Sequence, residues 1–252
     1  MEIVIIGTGN TATILGRKLK AAGHRIAQVF GRDTMAASKL AYELGTGSTN
    51  YWNVVNRDAD IYILAVADIA IEEVLKELQL SGKTVVHTAA SVSKDVLKPA
   101  GEHYGVFYPL QSLRKEMNYL PDIPIIIDAS DATTMDELEI LAHSISDKVV
   151  EAGDEQRVKL HLAAVLCNNF VNHLYVLTER YCKRNGIDFH LMLPLIRETA
   201  ERLETISPAQ SQTGPALRND RTTIEKHLDL LKDDPQLHKL YTLFTESIYN
   251  SR

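Results

Sequence analysis

The chain opens on Ile3-Val4-Ile5-Ile6, an apolar run with no polar alternation, which is the pattern of a strand buried on both faces. It passes directly into Gly7-Thr8-Gly9-Asn10-Thr11-Ala12, after which Ala12, Leu15, Leu19 and Ala22 recur at helical spacing. Gly23 ends that helix, and Arg25 to Phe30 reads as a second strand. A helix from Thr34 to Leu44 comes next, then a polar, turn-rich stretch over 45–60. The run from Asp60 to Val66 predicts another buried strand, with a helix from Asp68 to about Leu80 behind it. Thr84 to His87, Gly105 to Tyr108, Ile123 to Asp128 and Lys148 to Glu151 predict further strands, and Met135 to Ser146 a helix. Strands alternating with helices predict an α/β domain built on a doubly wound, mostly parallel sheet.

Beyond Gly153 the strand pattern stops and the spacing becomes helical. Residues 154 to about 185 predict one long helix ended by Gly186, with further helices over Phe189 to Leu203, Thr222 to Leu231 and Pro235 to Tyr249. Leu160 to Cys167 is apolar nearly all round, which predicts a helix covered on every side, partly by a second subunit. The expected organisation is therefore a dinucleotide-binding domain over 1–153 and a smaller all-helical substrate and dimerisation domain over 154–252.

The first seventeen residues carry the chemistry behind that expectation. In the G-x-G-x-x-A turn, Gly7 permits the tight bend, Gly9 lets a pyrophosphate approach the backbone, and Ala12 allows close packing of helix on strand. Free N–H groups at the helix start face the phosphates. Gly7, Thr8, Gly9, Asn10, Thr11 and Ala12 are thus candidate cofactor-binding positions in a Rossmann-type sheet, a plain tight turn being the alternative. An NAD enzyme places a carboxylate at the end of the second strand. Here Gly31 stands there and Arg32 is next, which points to NADP, with Arg32 on the 2′-phosphate or simply exposed and Asp33 capping the next helix.

Residues just past the strand ends line the ligand crevice of such sheets, so Ala65, Val66, Ala67, His87 and Thr88 join the cofactor candidates. Gln111 and Ser112, past another strand end, are candidates to meet a substrate, or members of an ordinary polar loop. On the long helix, at 100° per residue, His161, Asn168, Asn172 and Glu179 fall within about 20° of one line, with Lys159 opposite. A polar row on an apolar helix is costly unless a site or a helix–helix hydrogen-bond network uses it. His161 is the candidate acid/base because imidazole titrates near neutral pH; Asn168 is placed with it in catalysis, and His87 is the fallback proton donor. Asn172 is a candidate for the substrate's polar atom. Arg218, in the breaker-rich loop from Ser207 to Asp220, is a candidate for a substrate carboxylate, or an anchor paired with Asp220.

Composition narrows the class. The 252 residues are 45% apolar with a net charge of −6, which suits a globular protein and argues against a nucleic-acid partner. The longest apolar stretch, Ile61 to Ile71, is broken by Asp68, so no membrane span is expected, and the N-terminus lacks a basic n-region. Cys167 and Cys182 lie too far apart along one helix to form a disulfide. The nine histidines show no ligand spacing for a metal. A cytoplasmic enzyme acting on a small molecule is the expectation.

With these pieces in view the chain resembles a bacterial family of NADP oxidoreductases within the 6-phosphogluconate dehydrogenase-like superfamily. Relatives in this group include the deazaflavin-dependent NADP oxidoreductases and pyrroline-5-carboxylate reductases. The likeness spans nearly the whole chain. Its most specific pieces are Thr213-Gly214-Pro215-Ala216-Leu217-Arg218-Asn219-Asp220 and the His-Leu-Ala-Ala-Val…Asn segment over 161–169. The resemblance implies an NADP-binding domain, a helical domain forming a homodimer, and a substrate crevice between them. One departure matters. The 3-hydroxyisobutyrate dehydrogenase branch has a catalytic Lys followed four residues later by Asn, whereas here Ala163 stands at that spacing from Lys159. The expected activity is NADP-dependent hydride transfer to or from a small carbonyl, imine or hydroxy compound. The alternatives are a non-catalytic dinucleotide sensor and, more distantly, an S-adenosylmethionine-dependent transferase.

Overall fold

The computed structural model describes residues 1–78, 80 and 82–251. Eight strands form among them: β1 (Glu2–Ile6), β2 (Arg25–Phe30), β3 (Gly47–Thr49), β4 (Ile61–Leu64), β5 (Thr84–His87), β6 (Tyr104–Pro109), β7 (Ile125–Ala129) and β8 (Val149–Glu151). They join one sheet in the order β3-β2-β1-β4-β5-β6-β7-β8. Every neighbouring pair is parallel except β6 with β7. This is the doubly wound, mostly parallel Rossmann-type sheet that the sequence predicts.

Alternate residues of the central strands serve opposite faces, as period-2 geometry requires. Ile3, Ile5, Ile61 and Ile63 pack under α1 (Asn10–Ala21) and α2 (Thr34–Leu44), in a core that extends to Ile125 and Ile127 under the later helix Ala132–His143. Val4, Ile6, Tyr62 and Leu64 pack under α3 (Ile71–Glu77) and the 3-10 turn Lys94–Ala100. The helix Ala132–His143 is α4, capped by Asp131, whose carboxylate accepts from Thr134 N. Differences from the sequence reading are local. Strand β3 falls in the stretch read as turn, because three polar, mostly exposed edge residues carry no periodic signal. Helix α3 begins after a 3-10 turn at Asp68–Ala70 and closes at Glu77; Gln79, within the helix read to about Leu80, lies outside the described residues.

The chain divides into two compact units, Met1–Asn169 and the residues from Phe170 onward. The long helix begins as α5 (Asp154–Ala164), passes through a π-helical turn at Val165–Phe170 and continues as α6 (Val171–Arg184). Leu162 and Leu166 are more than half exposed, since among the described residues nothing covers them, which leaves them to the second subunit that the sequence leads one to expect. One expectation about the helix needs correction. The line through His161, Asn168, Asn172 and Glu179 assumes unbroken α geometry. The i→i+5 bonding of the π turn adds a residue and rotates the remainder of the helix by about 100°, so the four do not share one line.

A second correction concerns length. The helix Asp154–Arg184 spans 31 residues with a window of mean hydropathy 1.2, enough by length and composition to cross a membrane. An apolar core or interface helix passes the same test, and this one carries Asp154, Glu155, Arg157 and Lys159 in its first turns. The second unit continues through α7 (Leu193–Glu201), one-turn helices α8 (Pro208–Ser211) and α9 (Pro215–Arg218), then α10 (Arg221–Leu230) and α11 (Pro235–Asn250). The breaker-rich loop is therefore ordered, with Ser207 and Gln210 forming a capping box at α8.

Candidate functional site

The parallel strands end level with one another: Ile6 of β1 pairs with Leu64 of β4, Leu64 with His87 of β5, and His87 with Val106 of β6. The segments leaving these ends form one edge of the sheet, where ligands of such folds bind. At β1 the chain turns through Gly7, whose N–H donates to Phe30 O at 2.9 Å and whose φ is +126°. A Cβ there would stand 2.2 Å from Ala65 O, so only glycine fits. A Cβ at Gly9 would meet nothing within 4 Å, which leaves open space in front of the first turn of α1. A cradle too tight for a side chain, an open approach and a helix N-terminus together fit a pyrophosphate.

Gly7, Thr8, Gly9, Gly31, Arg32, Ala65, Val66 and Ala67 line one cavity of about 490 Å³. The structure brings these candidates together. At Gly31 a Cβ would lie 2.5 Å from the Thr8 methyl and 3.1 Å from Ala37 Cβ, so a carboxylate-bearing residue at the position an NAD enzyme uses would have to displace both neighbours. Arg32 is exposed beside it, 3.8 Å from Glu73 across the cavity mouth, and Asp33 caps α2 through Met35 N and Ala36 N. Trp52 also lines the cavity, stacked on Phe30 with ring centroids 3.7 Å apart. The sequence reading misses Trp52 and Glu73. An aromatic in a turn-rich stretch is the only signal for the first, and an acidic residue on an exposed helix face signals nothing in particular.

Other candidates fall elsewhere. Ala12 is fully buried and acts by packing, and Asn10 Oδ1 accepts from Lys115 N at 3.1 Å. Thr11 sits half-buried in the first turn of α1, and Thr88 half-buried behind β5 with its hydroxyl near Leu64 O. Gln111 belongs to a separate groove, its amide donating to Asp122 O, and Ser112 N donates back to Gln111 Oε1. Asn168 is exposed within the π turn, and Asn172 and Arg218 are exposed in the second unit. Arg218 is therefore not a buried anchor.

His87 is fully buried, with Ala89 N donating to Nδ1 at 3.2 Å and Nε2 at 3.4 Å from Ser93 O. Both nitrogens serve the turn after β5, which leaves neither for a ligand and removes it as a proton donor. Burial, opposed by the Ser93 bond, pushes its pKa down to about 4. The folded state thus holds His87 neutral while the unfolded chain protonates near 6.5. Stability present above 6.5 is lost as pH falls toward 4, by up to about 3 kcal/mol. Urea denaturation near neutral pH and near pH 4.5 should show that loss, and His87→Leu should show less of it.

Beside this turn lies a group of residues the sequence does not bring together. Arg157, on α5, is fully buried: Nε donates to Ala90 O at 3.0 Å and Nη2 to Val92 O and Asp154 Oδ1, each at 2.6 Å. Its Nη1 lies 3.7 Å from Asp128, which also takes a 2.5 Å bond from Lys94 Nζ. One helical turn further, His161 Nδ1 lies 3.0 Å from the Tyr108 hydroxyl at the end of β6. Burial holds the Tyr108 phenol above its ordinary pKa. Tyr108 packs with Ala90, so the imidazole is tied to the stretch just past β5. Among the described residues no group of three His, Cys, Asp or Glu side chains is placed to hold a metal.

A glycine cradle on a helix N-terminus, opening on a cavity at the parallel strand ends, defines a dinucleotide-binding α/β protein. Two family models match it: one described as NADP oxidoreductase, coenzyme F420-dependent, over residues 2–91, and a domain of unknown function (DUF2520) over residues 123–248. A Bacteroides fragilis protein assigned as an NADP oxidoreductase is 40% identical, with 99% of this chain and 98% of that one covered at a TM-score of 0.91. The chain belongs to this family of NADP oxidoreductases. The fold is shared by a 1-pyrroline-5-carboxylate reductase from Streptococcus pyogenes (17% identity, 100% and 97% covered, TM-score 0.68). It is shared too by a reductive aminase from Aspergillus terreus in complex with NADPH and ethyl-5-oxohexanoate (15% identity, 98% and 94% covered, TM-score 0.69). Among curated proteins none matches.

Proposed function

We propose that this NADP oxidoreductase transfers hydride between NADP(H) and a small carbonyl, imine or hydroxy compound, with His161 as acid/base. The observation that carries the reading is one sheet edge holding both the nucleotide cavity and a half-exposed imidazole anchored past β5. Gly7 to Gly9 and the start of α1 hold the pyrophosphate, and Arg32 exchanges its Glu73 contact for the 2′-phosphate. The nicotinamide, when bound, supplies or accepts the hydride; the protein orients the substrate and manages one proton. Asn168, exposed one π turn from the imidazole, is the neighbouring candidate to position the reacting oxygen or nitrogen.

Titration of the purified protein tests this directly. Trp52 is the only tryptophan in the chain and lines the cavity, so its fluorescence reports occupancy. NADPH should change the emission at lower concentration than NADH. Arg32→Ala should weaken NADPH by roughly 10- to 100-fold, the worth of one charge-assisted contact, and leave NADH nearly unaffected. Equal affinities in the variant and the parent would remove Arg32 from the site. A non-catalytic sensor is the second reading, favoured by Ala163 in place of the expected Asn and by Lys159 being exposed and paired with Glu155. NADPH binding without oxidation across carbonyl and imine panels would favour it.

The exposed residues Val158, Leu162, Leu166 and Phe170, spaced four apart, support a homodimer formed through the helical region. Light scattering at micromolar concentration distinguishes dimer from monomer.

A further inference from the structure

We propose that Tyr108 is a positioning residue that fixes His161 as its Nε2–H tautomer, so that the site offers an N–H donor to the acceptor atom of a C=O or C=N group. This rests on the hydride-transfer reading and assigns the proton donor for its reductive direction.

Tyr108 is 9% exposed, enclosed by Ala90, Val106, Ile126 and Ala152 with Leu160 beside them. Among the described residues its hydroxyl has one hydrogen-bond partner, His161 Nδ1 at 3.0 Å, with the rings edge to face. A largely buried O–H left without an acceptor is costly, so the hydrogen is assigned to His161 Nδ1, its one partner among the described residues. Burial keeps the phenol protonated through neutral pH, which maintains it as the donor. With Nδ1 accepting, the hydrogen of the neutral imidazole sits on Nε2. Among the described residues Nε2 has no protein partner, and the ring is half-exposed. The cations nearby do not compete for it, since Arg157 and Lys94 are engaged by Ala90, Val92, Asp128 and Asp154.

An Nε2–H group binds a lone pair and cannot take a proton from an alcohol or amine. In the reductive direction the C=O or C=N carbon takes the cofactor's hydride and its oxygen or nitrogen takes the Nε2 proton. The π bond is replaced by new C–H and O–H or N–H bonds, NADP⁺ is the oxidised product, and the imidazolate left at His161 takes a proton from water, releasing hydroxide.

The test uses protein labelled with ¹⁵N in its histidine rings, with the His161 signals assigned by their loss in His161→Gln. At mildly alkaline pH the Nε2–H form should dominate by about tenfold, the equilibrium worth of one ordinary hydrogen bond. Tyr108→Phe, which removes only the hydroxyl, should bring the two tautomers toward parity while NADPH titration is unchanged. A dominant Nδ1–H form in the parent, or the same tautomer ratio in Tyr108→Phe, would overturn the proposal. A purely structural role would lower thermal stability without moving that ratio. The tautomer is read on the cofactor-free protein, so failure of NADPH to bind would sink the oxidoreductase reading and the reductive assignment separately, whatever the ring nitrogens show.

Discussion

Gly7→Ala should abolish measurable NADPH binding and destabilise the protein. The added Cβ would stand 2.2 Å from Ala65 O and 2.8 Å from its carbonyl carbon, backbone atoms at the end of β4. They cannot give way without disturbing the Ala65 N–H bond to Ile6 O, at 2.8 Å, which joins the two central strands. A φ of +126° adds strain for any residue bearing a Cβ. Conformational strain of about 1–2 kcal/mol and overpacking of about 1–3 kcal/mol put the total on the order of 3 kcal/mol. Urea denaturation measures the stability, and Trp52 fluorescence the binding. Affinity should fall by about 100-fold or more, since a shifted turn no longer aims its N–H groups. Wild-type affinity in a folded Gly7→Ala protein would mean the nucleotide does not use this turn.

The second large effect lies at Arg157. Arg157→Met leaves Asp128, nearly buried, with Lys94 as its remaining cation, and leaves Ala90 O and Val92 O without their donor. Removing one side of a buried charge network typically costs about 3–5 kcal/mol, because the opposite charge stays desolvated. Arg157→Lys should recover only part of this. A single ammonium cannot reach the carbonyls of Ala90, Val92 and Ala152 and two carboxylates disposed around a planar fork. Hydrogen exchange should rise over 88–93, the segment Arg157 ties down, while strands β1 and β2 keep their protection until global unfolding. A loss below 1 kcal/mol on Arg157→Met would show that the network is no better than neutral for the fold. His161, one helical turn away, would then need another explanation for its placement.

These two residues differ in how legible they are in the chain. Gly7 can be read there because its requirement is local: a buried strand, a glycine turn and a helix are consecutive. Gly31, Arg32 and Ala65 to Ala67 are legible for the same reason, each lying directly after a strand end. Arg157 sits among polar residues at a helix start and looks like a surface cation. Only its distance to Ala90, Val92 and Asp128 makes it structural. Tyr108 looks like the last residue of a strand before Pro109, and His161 like part of a polar row on one helix. Their contact joins positions 53 apart in the chain. The strand-end position of His87 suggests a place beside the cofactor, but the tertiary fold turns both its nitrogens inward.

By itself the sequence determined the order of the main strands and helices, the face each strand residue serves and the glycine turn between β1 and α1. Those come from periods of two and 3.6 residues and from backbone sterics, which act between near neighbours. Only the tertiary structure decided that β3 completes the sheet, that a π turn breaks the polar row, that Leu162 and Leu166 stay uncovered in one chain, and that Tyr108 holds His161. Each depends on what a distant segment brings to the same place, and a linear pattern of apolar and polar positions carries no information about that distance.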